Sequence, residues 1–329
     1  MKNPLRVGLI GTGRLGWYYA ELLRTQIPEA NLVAIAGHKA EEISKDWGIS
    51  IWSQDRKAII NHPLVQAIVI VSNTGTHVEF IDEAIMAGKP VLCEKPLALE
   101  SVGLGAAAKR VEDSGAYVQL AFMRRYDPAI QEMKRLHEQE TIGNNVLFKS
   151  TSRDKALPTI EYCRTSGGLL LDMAIHDFDL ARYFFGQVHS VTATGAINVY
   201  DELVDINDVD NAIVMLEFKS GALGVIDVSR CAHYGYDVHT EVLGSRGMLR
   251  AGYYEQTAVK LFTEGSISHD VVPDFAYRYK DAFRLQLSDF VWNVSAGHKS
   301  PVTYRDGLEA LYIAEAANRS MKTGKRVEL

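Results

Sequence analysis

The run Leu5-Arg6-Val7-Gly8-Leu9-Ile10 leaves this chain the least freedom, because Gly11-Thr12-Gly13-Arg14-Leu15-Gly16 follows it without a gap. Apolar positions at Trp17, Tyr18, Ala20, Leu22 and Leu23 then continue at helical spacing. A short apolar strand, a glycine turn and a helix, in that order, make a dinucleotide-binding fingerprint. Gly11 permits the tight turn, Gly13 lets the backbone approach a pyrophosphate, and Gly16 lets helix and strand pack closely. The phosphates are then held at the helix N-terminus, where backbone N–H groups have no partner in the helix. The spacing predicts the opening of a doubly wound, parallel α/β sheet.

The alternation continues as that sheet requires. A second strand is expected over Asn31 to Ala36, and its end is where an acidic residue would hold the ribose hydroxyls of NAD. Gly37-His38-Lys39 takes that place instead. His38 and Lys39 either face the extra phosphate of NADP or form a solvated loop. Helices are expected over Ala40 to Trp47 and Arg56 to Asn61, with strands near Ile51-Trp52 and over Ala67 to Val71. Ser72-Asn73-Thr74-Gly75-Thr76-His77 then forms a polar loop at a strand's carboxyl end, where ligands bind in open parallel sheets. His77 reads as a loop-shaping residue at the cofactor rim. A helix over Val78 to Ala87 leads through Lys89 to Cys93 into Glu94-Lys95-Pro96, which sets Lys95 just past another strand end. A helix over Ser101 to Ser114 and a strand over Ala116 to Ala121 complete the sheet. The cofactor-binding candidates are Gly11, Thr12, Gly13, Arg14, Leu15, Gly16, His38, Lys39, Ser72, Asn73, Thr74, His77, Glu94 and Lys95.

With 329 residues the chain can bury two cores, and its 47% apolar and 23% charged residues are ordinary for a globular protein. A net charge of -6 without an extended basic run argues against nucleic acid and anionic membrane as partners. Cys93, Cys163 and Cys231 are an odd, widely spaced set, suggesting neither a disulfide framework nor a zinc cluster. A reducing compartment suits them. No signal-peptide pattern precedes the first strand and no apolar run is long enough to span a bilayer, so a cytoplasmic location is expected.

The second half reads differently. Strands are expected at Val146 to Ser152, Val188 to Asn198, Asn211 to Phe218, Ala222 to Arg230, Val238 to Leu243, Met248 to Ala251 and Ala258 to Phe262, several alternating as in a one-sided sheet. Helices over Tyr277 to Ala296 and Asp306 to Lys322 close the chain. The stretch from Ser166 to Asp179 holds the densest chemistry. Asp172 and His176 are four residues apart, a spacing that puts both on one face of a helix. Met173, Ile175, Phe178, Leu180, Ala181, Phe184 and Phe185 imply that this helix is largely buried. The alternative is that its acidic groups are solvated or cap a helix start.

Several of these motifs resemble the Gfo/Idh/MocA oxidoreductase family, and within it the inositol 2-dehydrogenase branch. The resemblance rests on Glu94-Lys95-Pro96, Ala121 to Pro128, Thr151-Ser152-Arg153-Asp154, Ser166-Gly167-Gly168, Asp172 to Asp179, Tyr234-Gly235-Tyr236-Asp237 and Glu241 to Gly247. It implies a Rossmann domain over residues 1–122 and, over 123–329, a C-terminal α/β domain with an open, mainly antiparallel sheet that binds substrate and builds a homodimer or homotetramer. It also implies NAD(P)-dependent oxidation of a ring hydroxyl of myo-inositol or scyllo-inositol to the inosose. Lys95, Asp172 and His176 carry over as the catalytic group, and no metal is needed. His176 is assigned as proton acceptor, as histidine suits a base near neutral pH. Lys95 would stabilise the substrate oxygen, and Asp172 would orient substrate or imidazole. Arg124, Asp154 and Tyr236, in the branch motifs, are substrate-binding candidates beside Lys95, Asp172 and His176. Against that, Arg124 or Arg125 can pair with Asp127, and Tyr236 can be core. The branch favours NAD; the Gly37-His38-Lys39 loop leaves NADP open. Another sugar, polyol or dihydrodiol dehydrogenase, or a cofactor-binding regulator without turnover, are the alternatives.

Overall fold

A computed structural model describes residues 3–252 and 255–329. Met1 and Lys2, at the head of the expected first domain, lie outside the described residues. The chain divides into two compact units, Met1–Met123 with Phe283–Glu309, and Arg124–Ala282 with Ala310–Leu329. Residues 283–309 pack within the first unit.

The first unit holds a six-stranded sheet in the order β3-β2-β1-β4-β5-β6, every pairing parallel. Its strands are β1 (Leu5–Ile10), β2 (Ala30–Ala36), β3 (Ile51–Ser53), β4 (Ala67–Ile70), β5 (Val91–Cys93) and β6 (Val118–Leu120). This is the doubly wound order with its topological switch between β1 and β4. Helices cover both faces, so central strands read as unbroken apolar runs, and all four residues of β4 are buried. The returning segment is fixed by specific contacts. Phe283 meets Tyr18 and Tyr19 edge-on at 5.4 and 5.9 Å, Phe290 packs on Tyr117, and Leu120 N–H donates to the Val302 carbonyl at 3.0 Å. Apolar periodicity shows that a helix has a buried face; it does not say which sheet that face covers.

The second unit is built on a seven-stranded sheet in the order β12-β11-β7-β10-β9-β8-β15. The strands are β7 (Asn145–Arg153), β8 (Val188–Ala196), β9 (Asn211–Phe218), β10 (Leu223–Ser229), β11 (Asp237–Gly244), β12 (Gly247–Gly252) and β15 (Val327–Glu328). Only β7 and β10 pair in parallel. β13 (Lys260–Thr263) and β14 (Ser266–His269) form a separate exposed hairpin. One face of the large sheet is covered by the helix Ile175–Phe185, with Phe185 against Phe148 and Phe218 at 5.8 and 5.0 Å. The other face is open, and exposed Ile213, Met215, Leu223 and Leu243 alternate there with buried neighbours.

Candidate active site

In the first unit the candidate residues gather at the carboxyl ends of β1, β2, β4 and β5. Gly11 has φ +113°, and a Cβ there would sit 2.3 Å from the Val71 carbonyl oxygen. A Cβ at Gly16 would sit 2.2 Å from the Gly11 oxygen, so only glycine allows the helix Arg14–Thr25 to start this close to the turn. Gly13 differs: its Cβ would enter open space, and no side chain caps the helix that it begins. Exposed backbone N–H groups beside open space are what a pyrophosphate requires. The fingerprint therefore fits its cofactor on geometry as well as on pattern.

The β2 end explains the missing acid. Gly37 has φ +147°, and a Cβ there would come within 2.4 Å of Thr12 Oγ1. That hydroxyl accepts from the Lys39 N–H at 3.0 Å and lies 3.3 Å from His38 Nδ1. Position 37 is thus closed to aspartate unless the turn shifts, which leaves exposed His38 and Lys39 as the groups presented here.

The other two loops are braced from within. Buried His77 sets Nδ1 2.8 Å from the Pro96 carbonyl and Nε2 3.0 Å from the Ser72 carbonyl, tying together the loops after β4 and β5. Burial lowers its pKa, with the Lys95 charge adding to that and the two carbonyls opposing it. A neutral ring donates one N–H, and the shorter contact, to Pro96, is where it is best placed. His77 is a brace, as its loop-shaping reading requires. Ser72 and Thr76 hydroxyls lie 2.8 Å apart, while Asn73 stays exposed and Thr74 half-buried. Glu94 is buried: Oε1 accepts from the Tyr19 hydroxyl at 2.5 Å and Oε2 from the Lys95 N–H at 3.1 Å. Gln286, on the returning segment, donates to Tyr19 at 3.0 Å. A buried chain of three side chains thus ends at the backbone of half-buried Lys95.

In the second unit Asp172 and His176 do not share one helix. Asp172 ends the short helix Gly168–Asp172, Met173 and Ala174 turn, and His176 lies at the start of the helix Ile175–Phe185. The break has a visible cause in the backbone, since both Met173 and Ala174 N–H groups point to the Leu169 carbonyl. The solvated reading is also excluded: Asp172 is 9% exposed, His176 6%, Asp177 0% and Asp179 1%.

The two remaining acids anchor the helix that carries His176. Asp177 Oδ1 accepts from Arg124 Nη1 at 2.8 Å, Ser150 Oγ at 2.6 Å and Ser152 Oγ at 2.8 Å. Asp179 receives a two-pronged bond from Arg125 at 2.8 and 2.6 Å. Asp127 pairs with Arg278 at 2.7 Å. Buried Arg124 thus braces Asp177. Tyr236 is buried with its ring edge-on to Tyr279, and burial above all raises its pKa well above that of a free tyrosine, so it keeps its proton as a donor. Asp154 is half-exposed just past β7, its backbone bonded to Ser229 and Ala232.

Two neighbours of Asp172, Tyr162 and Arg230, and the Asp208 that shares Arg230, escape a reading of the sequence. Tyr162 donates its hydroxyl to Asp172 Oδ1 at 2.8 Å, and Arg230 reaches Asp172 Oδ2 at 3.3 Å and Asp208 Oδ2 at 3.1 Å. An arginine closing the expected strand Ala222 to Arg230 was the available signal.

Comparison with known proteins agrees with this geometry. Residues 5–122 match the profile described as "Oxidoreductase family, NAD-binding Rossmann fold", and residues 134–329 that described as "Oxidoreductase family, C-terminal alpha/beta domain". The chain belongs to the Gfo/Idh/MocA oxidoreductase family, and its first unit is an NAD-binding Rossmann domain. It is 35% identical to a scyllo-inositol 2-dehydrogenase (NAD(+)) of Bacillus subtilis, over 100% of this chain and 97% of that one. It is 38% identical to a myo-inositol 2-dehydrogenase of Thermotoga maritima, over 99% and 98%. A crystal structure of scyllo-inositol dehydrogenase from Lactobacillus casei with bound NAD(H) and scyllo-inositol superposes with a TM-score of 0.94 at 29% identity, covering 99% of each chain.

Proposed function

We propose that the protein is an inositol 2-dehydrogenase, oxidising one ring hydroxyl of myo-inositol or scyllo-inositol to the inosose. The observation that carries this reading is the full-length likeness to enzymes named for that reaction, joined to a buried His176 on a firmly anchored helix. The turns around Gly11 to Gly16, His38-Lys39 and Ser72 to His77 would hold the dinucleotide, and its nicotinamide supplies the hydride acceptor when bound. His176 takes the hydroxyl proton. Lys95 donates a hydrogen bond to the same oxygen and stabilises its growing negative charge. Asp172 is a fixed acceptor for substrate hydroxyls, joined by half-exposed Asp154 and the protonated Tyr236; Arg124 serves through Asp177. NAD is the cofactor of this reading, and the acid-free β2 end admits NADP as a second. The three thiols, none in a disulfide, suit the cytoplasm. The test is His176→Ala. We expect kcat for inositol oxidation to fall by about a hundredfold to ten-thousandfold, the usual worth of a positioned base, with NAD affinity unchanged. Turnover at the wild-type rate would remove His176 from this role.

A further inference from the structure

Arg230 is the largest side chain among the described residues that is fully shielded from solvent. A cation with no exposed surface must be held by anions or acceptors, and its partners are specific. Nη2 donates to Asp172 Oδ2 at 3.3 Å; Nη1 donates to Asp208 Oδ2 at 3.1 Å and to Cys163 Sγ at 3.4 Å. Asp208 in turn accepts, through Oδ1, from the Leu169 N–H at 2.9 Å. Leu169 is the second residue of the five-residue helix Gly168–Asp172, and Asp172 ends it. One arginine therefore ties the two ends of one short helix together through Asp208. Gly168 makes room for the staple, since a Cβ there would meet Asp208 Oδ1 at 2.9 Å. The second oxygen of Asp172 is held from the other side by the Tyr162 hydroxyl at 2.8 Å, on a ring that is 47% exposed.

We infer that Arg230, Asp208 and Tyr162 are positioning residues for Asp172, forming a clamp that fixes both carboxylate oxygens as acceptors. This rests on the proposed role of Asp172 in the reaction. An arginine stays protonated throughout the working range and a two-sided clamp leaves the carboxylate no freedom to swing. Asp172 then orients substrate, and the proton travels by His176. The short helix, too small to hold its own shape, depends on the clamp for its position.

The test is a set of variants acting on each oxygen separately: Arg230→Lys, Asp208→Asn and Tyr162→Phe, each alone and combined with Asp172→Asn. Polyol oxidation, the substrate and cofactor KM values and NAD affinity are measured on folded protein. Each single variant should lower kcat about tenfold to a hundredfold, the scale of a misplacement near 1 Å, with NAD affinity unchanged. In the Asp172→Asn background the same changes should add nothing, because residues acting through one group are not additive. Additive losses would reduce the cluster to a structural role and overturn the clamp. Tyr162→Phe, on a half-exposed ring, keeps the test decisive if Arg230→Lys fails to fold; wild-type kcat in Tyr162→Phe overturns the clamp. Full activity in Asp172→Asn would instead overturn the role of Asp172 itself.

Discussion

Lys95, to which the proposed reaction gives a role, shows how much of a residue's placement is decided by its neighbours. Its backbone is held by Glu94, whose other oxygen takes the Tyr19 hydroxyl, and Gln286 completes the chain. Burial lifts the Glu94 pKa above the ordinary 4.5, against the Tyr19 bond and the nearby Lys95 charge. For a group whose pKa is raised on folding, the stabilising contribution is complete below the unfolded value and is lost as pH climbs through the folded one. Glu94→Gln cannot ionise, so the melting temperature of the wild type should fall relative to that of the variant as pH rises from about 4 to about 8. Thermal melts across that range check it; a gap that stays constant or moves the other way contradicts the buried-acid reading. Glu94 was visible in the sequence as a neighbour of Lys95. Tyr19 and Gln286 were not, since their partners lie 75 and 267 positions away.

At the scale of elements, the strands were legible wherever apolar alternation was strong. β9 (Asn211–Phe218) falls where the pattern put it, and β7, β10 and β11 differ only at their ends. The Asp172 and His176 spacing misled, because the i,i+4 rule presumes an unbroken helix and the turn at Met173 and Ala174 interrupts it. Nothing in the residue types there marks a break. The open face of the large sheet carries its own expectation. Leu223 pairs with Leu147 and Glu217, and Leu147 with Leu243, so one row of that face is mostly leucine. A row of apolar side chains on an open sheet invites a second copy. We expect the wild type to be a dimer or tetramer by light scattering, and Leu223→Glu with Met215→Glu to shift it to single-chain mass while circular dichroism stays unchanged. A wild type already at single-chain mass would contradict the interface.

For the whole molecule, the fingerprint and the order of motifs were enough to reach the fold and the family. Residues 283–309 pack in the first unit through Phe283, Gln286 and Phe290. The fingerprint and the motifs did not reveal the Arg230 clamp, because a buried ion pair is built from positions that sequence separates. Epimer choice turns on the orientation of one hydroxyl and cofactor choice on two exposed residues, His38 and Lys39, both finer than motif spacing resolves. The central claim is tested most directly by the rise in reduced-nicotinamide absorbance when the purified enzyme meets myo-inositol, scyllo-inositol, glucose or xylose with NAD or NADP. The account predicts inositol-dependent reduction with NAD, exceeding that with either sugar. Cofactor binding without reduction by any inositol would contradict it.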